Sequence, residues 1–273
     1  MIQKLRDTFR PDSSYRSFFM SILTFALAYG LYKGILDNYL AEVAGMSAFD
    51  KGVSEFFREM PGLLLIFVLA LLYEFSAEKI YRIGALIMAA GLVMQSLVNP
   101  TKALVITAIF IYSLGEHIQL GMRNTITLEY AREGKSGIAL GCQSAVYQIG
   151  MVAGYIVVIG LFYLMGNNTA LFKPVFMASA VIVLLGFASS LRIKGDSRPD
   201  PSKRRFYFAK KYNKYYMLEL FYGARKQIFF TFGPYVLCEL YALHVLSLWL
   251  HHFTVNALLT SVRVCTESFA ITR

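Results

Sequence analysis

The 273 residues are 56% hydrophobic and only 16% charged, with 22 Phe and 18 Tyr, so a water-soluble fold would have to expose far too much apolar surface. The formal charge is +10, yet Lys and Arg gather in the polar segments between apolar runs, which points to membrane orientation and away from nucleic acid. Three widely spaced cysteines, Cys142, Cys238 and Cys265, offer neither a disulfide framework nor metal-ligand spacing, and no metal or cofactor is expected.

A spanning helix needs about 20 mostly apolar residues, against about 10 for a barrel strand, and the runs here have helical lengths. They cover Phe18 to Leu40, Ser54 to Tyr73, Ile83 to Val98, Ala103 to Met122, Ile138 to Met165, Phe172 to Leu191 and Met217 to Leu237, with a weaker eighth from Tyr241 to Leu259. The expected class is an all-α polytopic membrane bundle. If the N-terminus is cytoplasmic, eighteen basic residues lie inside, nine of them between Arg192 and Lys214, and only Lys51, Arg58, Lys102 and Lys173 lie outside. This orientation is the expected one, in a bacterial inner (plasma) membrane, with the Lys203-Arg204-Arg205 cluster available to anionic lipid.

Span one carries Lys33 and Asp37 four residues apart, on one face with Tyr29 and able to neutralise each other. They are read either as an interfacial pair or as binding groups facing a cavity. Span two opens with Glu55, Arg58 and Glu59 just before Pro61-Gly62, which suggests an exposed outer rim near a helix start, with an outer-gate role second. Spans three, five and six carry no ionisable residue in their apolar cores.

Span four holds Glu116 and His117 well inside the run, and Glu116, Gln119 and Arg123 follow at i, i+3 and i+7 as one polar stripe. A charge at such a depth costs roughly 2.5–3.5 kcal/mol even on the lenient insertion scale, so these groups are expected to face a protein interior or watery cavity. Glu116 or His117 could carry a coupling proton, make a buried hydrogen bond or touch a solute directly. Span seven again carries charge, with Glu219 and Lys226 on one face and Arg225 adjacent, cations that call for an anionic solute group or Asp37 as partner. Charge in spans one, four and seven suggests a three-helix repeat whose first member lines a pathway.

The apolar pattern stops between Arg192 and Lys214, where Gly195, Asp196, Pro199, Asp200 and Pro201 precede a basic run. The expected organisation is a six-helix bundle over 1–191, a basic cytoplasmic linker over 192–215, and a seventh span with an atypical C-terminal segment over 216–273. The final 36 residues contain His244, His251, His252 and the single Trp249, a shift of composition that suggests truncation or a changed frame after about Leu237.

Two segments resemble the major facilitator superfamily. Glu74-Phe75-Ser76-Ala77-Glu78-Lys79-Ile80-Tyr81-Arg82 is similar to that family's loop signature after span two, with the acid and both bases in place and with Glu74 and Tyr81 where glycines are usual. The resemblance implies an inner-gate ion-pair network of Glu78, Lys79 and Arg82. Gly115 to Arg123, followed by Tyr130-Ala131-Arg132-Glu133-Gly134-Lys135-Ser136-Gly137, looks like the family's fourth span and its basic inner loop. Gly137, Gly141, Gly150 and Gly154 then clear one face of span five for close packing. Tyr155 stands where the drug-antiporter variant has proline, which weakens a multidrug-efflux reading.

The resemblance covers roughly residues 15–237 and implies a 3+3 inverted repeat, alternating access and cation-coupled movement of a small polar or anionic solute, with a proton as candidate co-substrate. Membrane lipid, that solute and a partner supplying missing spans are the expected partners. The alternative is a six-helix assembly subunit without transport. A seven-helix retinal protein with Lys226 as Schiff base would need a carboxylate counter-ion in span three, which is lacking. No nucleophile, base and orienter appear together, and no phosphate-binding glycine loop is present, so an enzyme is not expected.

Overall fold

The computed structural model describes residues 7–11, 14–166, 168–194 and, further on, 210–214, 216–218 and 221. Spans seven and eight, with Glu219, Arg225 and Lys226, therefore lie outside the described residues. The chain divides into two units, Met1–Pro199 and Asp200–Arg273. Of the second, a short 3-10 turn over Lys210–Tyr212 is described.

The first unit is a six-helix bundle: α1 Tyr15–Glu42, α2 Ala48–Leu71, α3 Ala77–Leu97, α4 Lys102–Tyr130, α5 Ser136–Met165 and α6 Phe172–Ser190. Among the described residues β-pairing is limited to a single bridge, Phe9 to Ala131. Among the described residues five helical segments are long and apolar enough to cross a membrane; α2 falls short because Glu55, Arg58 and Glu59 interrupt its first half.

Polar chemistry sets the helix ends beyond the apolar runs. Ahead of α2, the Ser47 hydroxyl accepts from the Asp50 N–H at 3.2 Å, and Asp50 accepts from the Ser47 N–H at 2.9 Å. This capping box starts the helix six residues before the apolar run. Pro61 is consequently in the helix interior, where it has no N–H to donate and crowds the preceding turn. In the same turn the Arg58 carbonyl accepts the Ser113 hydroxyl of α4. Helix α4 likewise continues to Tyr130, eight residues past the apolar run.

The neighbour relations are α1 with α5 and α6, α4 with α2 and α3, and α3 with α6. Exchanging helices one to three with four to six maps these five relations onto one another, and a lesser contact of α4 with α5 stands outside the exchange. Directions agree: on α5, Gly150 lies against Leu23 and Gly154 against Leu27, so α1 and α5 run parallel. On α2, Gly62 lies against His117 and Arg58 against Ser113, so α2 and α4 run parallel too. Tyr32 meets Tyr112, with ring centroids 4.0 Å apart, and Phe18 meets Tyr130, so the first members α1 and α4 run in opposite directions. Two repeats of opposite topology thus share one core, with Tyr81, Phe18 and Phe25 at the end where α1 begins, called the inner end below, and Tyr39, Phe172 and Phe176 at the opposite end, called the outer.

Only half of the glycine stripe on α5 is used for close approach. Gly150 and Gly154 press on α1 backbone, whereas a Cβ at Gly141 would have nothing within 4 Å. At the inner face, the Arg10 N–H donates to the Tyr130 carbonyl and the Arg132 N–H to the Thr8 carbonyl, both at 2.9 Å. Arg132 Nε also donates to the Phe9 carbonyl at 3.0 Å. Phe9 is buried against Tyr15 and Phe19, and Tyr130 donates its hydroxyl to the Lys194 carbonyl at 2.6 Å. One strap therefore ties the N-terminal segment to the α4–α5 loop, and Tyr130 joins that loop to the segment after α6.

Candidate functional site

The membrane-depth charges fall into two sets. The first lies in the outer half. Asp37 of α1 pairs with Lys33 at 3.7 Å, as its i+4 spacing allows, but its nearer partner is Lys51 at the start of α2, at 2.9 Å. Next to this bridge, Arg58 Nε meets Glu55 at 2.7 Å and Arg58 Nη2 meets Glu59 at 2.5 Å.

Two of these three rim candidates lie inside the packing: Glu55 is 7% exposed and the Arg58 side chain 17%. The exposed-rim reading fits only Glu59. The reason is the early start of α2, which puts Glu55 to Glu59 in its third and fourth turns, against α4. A buried cation of this kind is tolerated only with carboxylates in contact, and Arg58 has two.

His117 of α4 completes this knot. Its Nδ1 is 2.9 Å from the Ser113 carbonyl and 3.1 Å from the Ser113 hydroxyl, while Nε2 faces Glu59 at 3.9 Å. A carbonyl oxygen only accepts, so Nδ1 must carry a hydrogen, and a second proton can land only on Nε2, towards Glu59. Gly62 makes room for the ring, since a Cβ there would come within 2.9 Å of Nε2.

The stripe expected on α4 divides. Gln119 is buried and donates to the Tyr81 carbonyl at 3.2 Å, so it braces α3 rather than facing open space. Glu116 and Arg123, two turns apart, stay half-buried on the side of α1 and α5. Glu116 makes no hydrogen bond or ion pair with any described residue, although it feels the charges of His117, Arg58 and Lys33. The Arg123 guanidinium lies 4.0 Å from the centre of the Tyr147 ring, and its buried Nε has no hydrogen-bond partner. Tyr29 of α1 meets the same ring at 6.0 Å.

At the inner loop, Arg82 donates Nε to the Ser190 carbonyl at 3.2 Å and Nη2 to the Ile193 carbonyl at 2.8 Å. It caps α6 where the helix dipole favours a cation. Glu78 is buried one turn away and Lys79 is exposed. Sequence reasoning passed over Lys51, Ser113 and Tyr147. Ser113 could have been found, four residues before His117 on the same face; Tyr147 carries no signal beyond lying on the glycine-bearing helix.

The family model of the Major Facilitator Superfamily matches residues 18–269, which takes in all six helices and continues past Leu237. A comparison with curated proteins finds no match.

Proposed function

The chain belongs to the major facilitator superfamily and is an integral membrane transporter, and from that premise we propose that it is a secondary active carrier that moves a small polar or anionic solute by alternating access, coupled to protons. It is oriented with its N-terminus in the cytoplasm of a bacterial cell. The observation that carries this reading is the polar face of α4: a carboxylate at Glu116 without a hydrogen-bond or ion partner among the described residues, next to an imidazole whose Nε2 looks toward a second carboxylate. Charges at this depth are costly unless they serve a pathway.

We assign the coupling proton to His117 Nε2. Protonation there creates an ion pair with Glu59 across α2 and α4, and deprotonation releases it, so the packing of the two helices responds to one proton. Among the charged groups near the imidazole, Arg58 is occupied by Glu55 and Glu59, and Glu116 lies beside it on α4.

The test uses the full chain in liposomes loaded with a pH dye and exposed in turn to small organic acids, amino acids and sugars. Solute-dependent proton movement is expected, and His117→Asn should retain solute uptake while losing its dependence on the pH gradient. An unchanged pH dependence in this variant would remove the assignment to His117. Absence of flux with every solute would remove the carrier reading itself.

A further inference from the structure

Of the charged side chains described on α1, α2 and α4 around the site, two have no ion partner among the described residues. Lys33, Asp37 and Lys51 form one group, and Glu55, Arg58 and Glu59 form another that His117 joins. The two left over are Glu116 and Arg123, opposite in charge and on the same face of one helix. Their Cα atoms are about 10 Å apart along the axis, so they do not pair with each other.

Tyr147 of α5 lies against Arg123, within range of both charges. Its ring carries the Arg123 guanidinium at 4.0 Å, and its hydroxyl experiences both the Arg123 and the Glu116 charge. Tyr29 closes the far side of that ring. The result is a strip with an anion at its outer end, a cation at its inner end and two amphipathic aromatic side chains alongside.

Resting on the carrier reading above, we propose that the solute is a zwitterion, held with its cationic group at Glu116 and its anionic group at Arg123. A solute with a single charge would satisfy one of the two and leave the other half-buried and uncompensated, which is the costlier arrangement. An uncharged solute would leave both. A zwitterion neutralises both in one binding event, and Tyr147 and Tyr29 offer π-faces that suit an ammonium group. The guanidinium, which supplies several donors in a fixed fork, suits a carboxylate or phosphate at the other end.

The experiment measures binding by equilibrium dialysis to the full chain in lipid nanodiscs. It uses two matched sets of probes. One is 4-trimethylammoniobutanoate, its uncharged-head isostere 5,5-dimethylhexanoate, and butyltrimethylammonium; the other is 4-aminobutanoate, pentanoate and butylamine. In at least one set the zwitterion is expected to bind about tenfold or more tightly than both of its singly charged relatives.

Glu116→Gln should erase the advantage over the anionic relative while leaving that relative's own affinity in place. Arg123→Gln should do the same for the cationic relative. This exchange of preference is a result that loss of packing would not produce.

Equal binding of zwitterion and single-charge relatives, or an equal fall for all three probes in each variant, would overturn the inference. Flux of an uncharged or singly charged solute in the liposome assay, with no zwitterion bound, would overturn it and leave the carrier reading standing. No binding and no flux with any compound would remove both.

Discussion

Gly154→Ala tests whether the α1–α5 contact is set by backbone proximity. A Cβ at this position would lie 2.5 Å from the Leu27 carbonyl oxygen and 2.8 Å from both Gly30 Cα and the Leu31 nitrogen. All three are main-chain atoms, so no rotamer change relieves the overlap and the helices must part by about 0.5–1 Å in an interior packed as densely as a crystal. Overpacking of this kind costs about 1–3 kcal/mol. The helix itself gains about 0.5–1 kcal/mol from replacing Gly by Ala. The net expectation is a loss of up to about 2.5 kcal/mol, or a melting point lower by up to roughly 10 °C at 2–4 °C per kcal/mol.

Gly141→Ala on the same helix is the control, because nothing lies within 4 Å of the added methyl. It should melt at the wild-type temperature or a few degrees above. Thermal unfolding of the three proteins in one detergent, followed by loss of the monodisperse peak, reads the difference. If Gly154→Ala melts as high as Gly141→Ala, the close approach of α1 and α5 is not what holds them.

Two further predictions concern the ends of the bundle. Asp50, outside the apolar run, hydrogen-bonds Lys102 Nζ at 2.5 Å; that bond above all, with the Ser47 hydroxyl and N–H, holds its carboxyl down at about 2. A folded-state value below the ordinary carboxylate range stabilises the fold above about pH 4, and that contribution fades as pH falls from about 4 to about 2. Asp50→Asn should flatten the melting profile over that window, and an unchanged acid slope would exclude the contact as its source. Arg82→Gln should weaken the inner end of α6 by about 1 kcal/mol, seen as faster hydrogen exchange over 187–194, and Arg82→Lys should not restore it because an ammonium lacks the fork that reaches two carbonyls.

The bundle was legible because lipid demands long apolar runs, and all six helices fall where those runs lie. Their polar ends were not: the Ser47–Asp50 box and the last two turns of α4 contain residues that hydropathy assigns to loops. The same limitation affected the site. Lys33 with Asp37 and Ser113 with His117 could be read from i+4 spacing, but Lys51 comes from another helix and only packing brings it in. Gln119 shares the stripe of Glu116 by arithmetic, yet a long flexible amide can turn toward the Tyr81 carbonyl, and sequence periodicity places a Cα without placing the end of its side chain.

The inner strap has a consequence for how the chain is made. Arg132 holds a carbonyl 123 positions earlier, and Lys194 donates its N–H to the Ser14 hydroxyl across 180 positions. At about 5–20 residues per second of synthesis, the Phe9 segment waits roughly 6–25 s for its loop to emerge. Its buried aromatic ring spends that interval without its seat, next to the membrane surface or a chaperone. The Phe9 strap therefore closes well after α1 is made, and a fusion placed ahead of Phe9 would impede that closure more than the insertion of any helix.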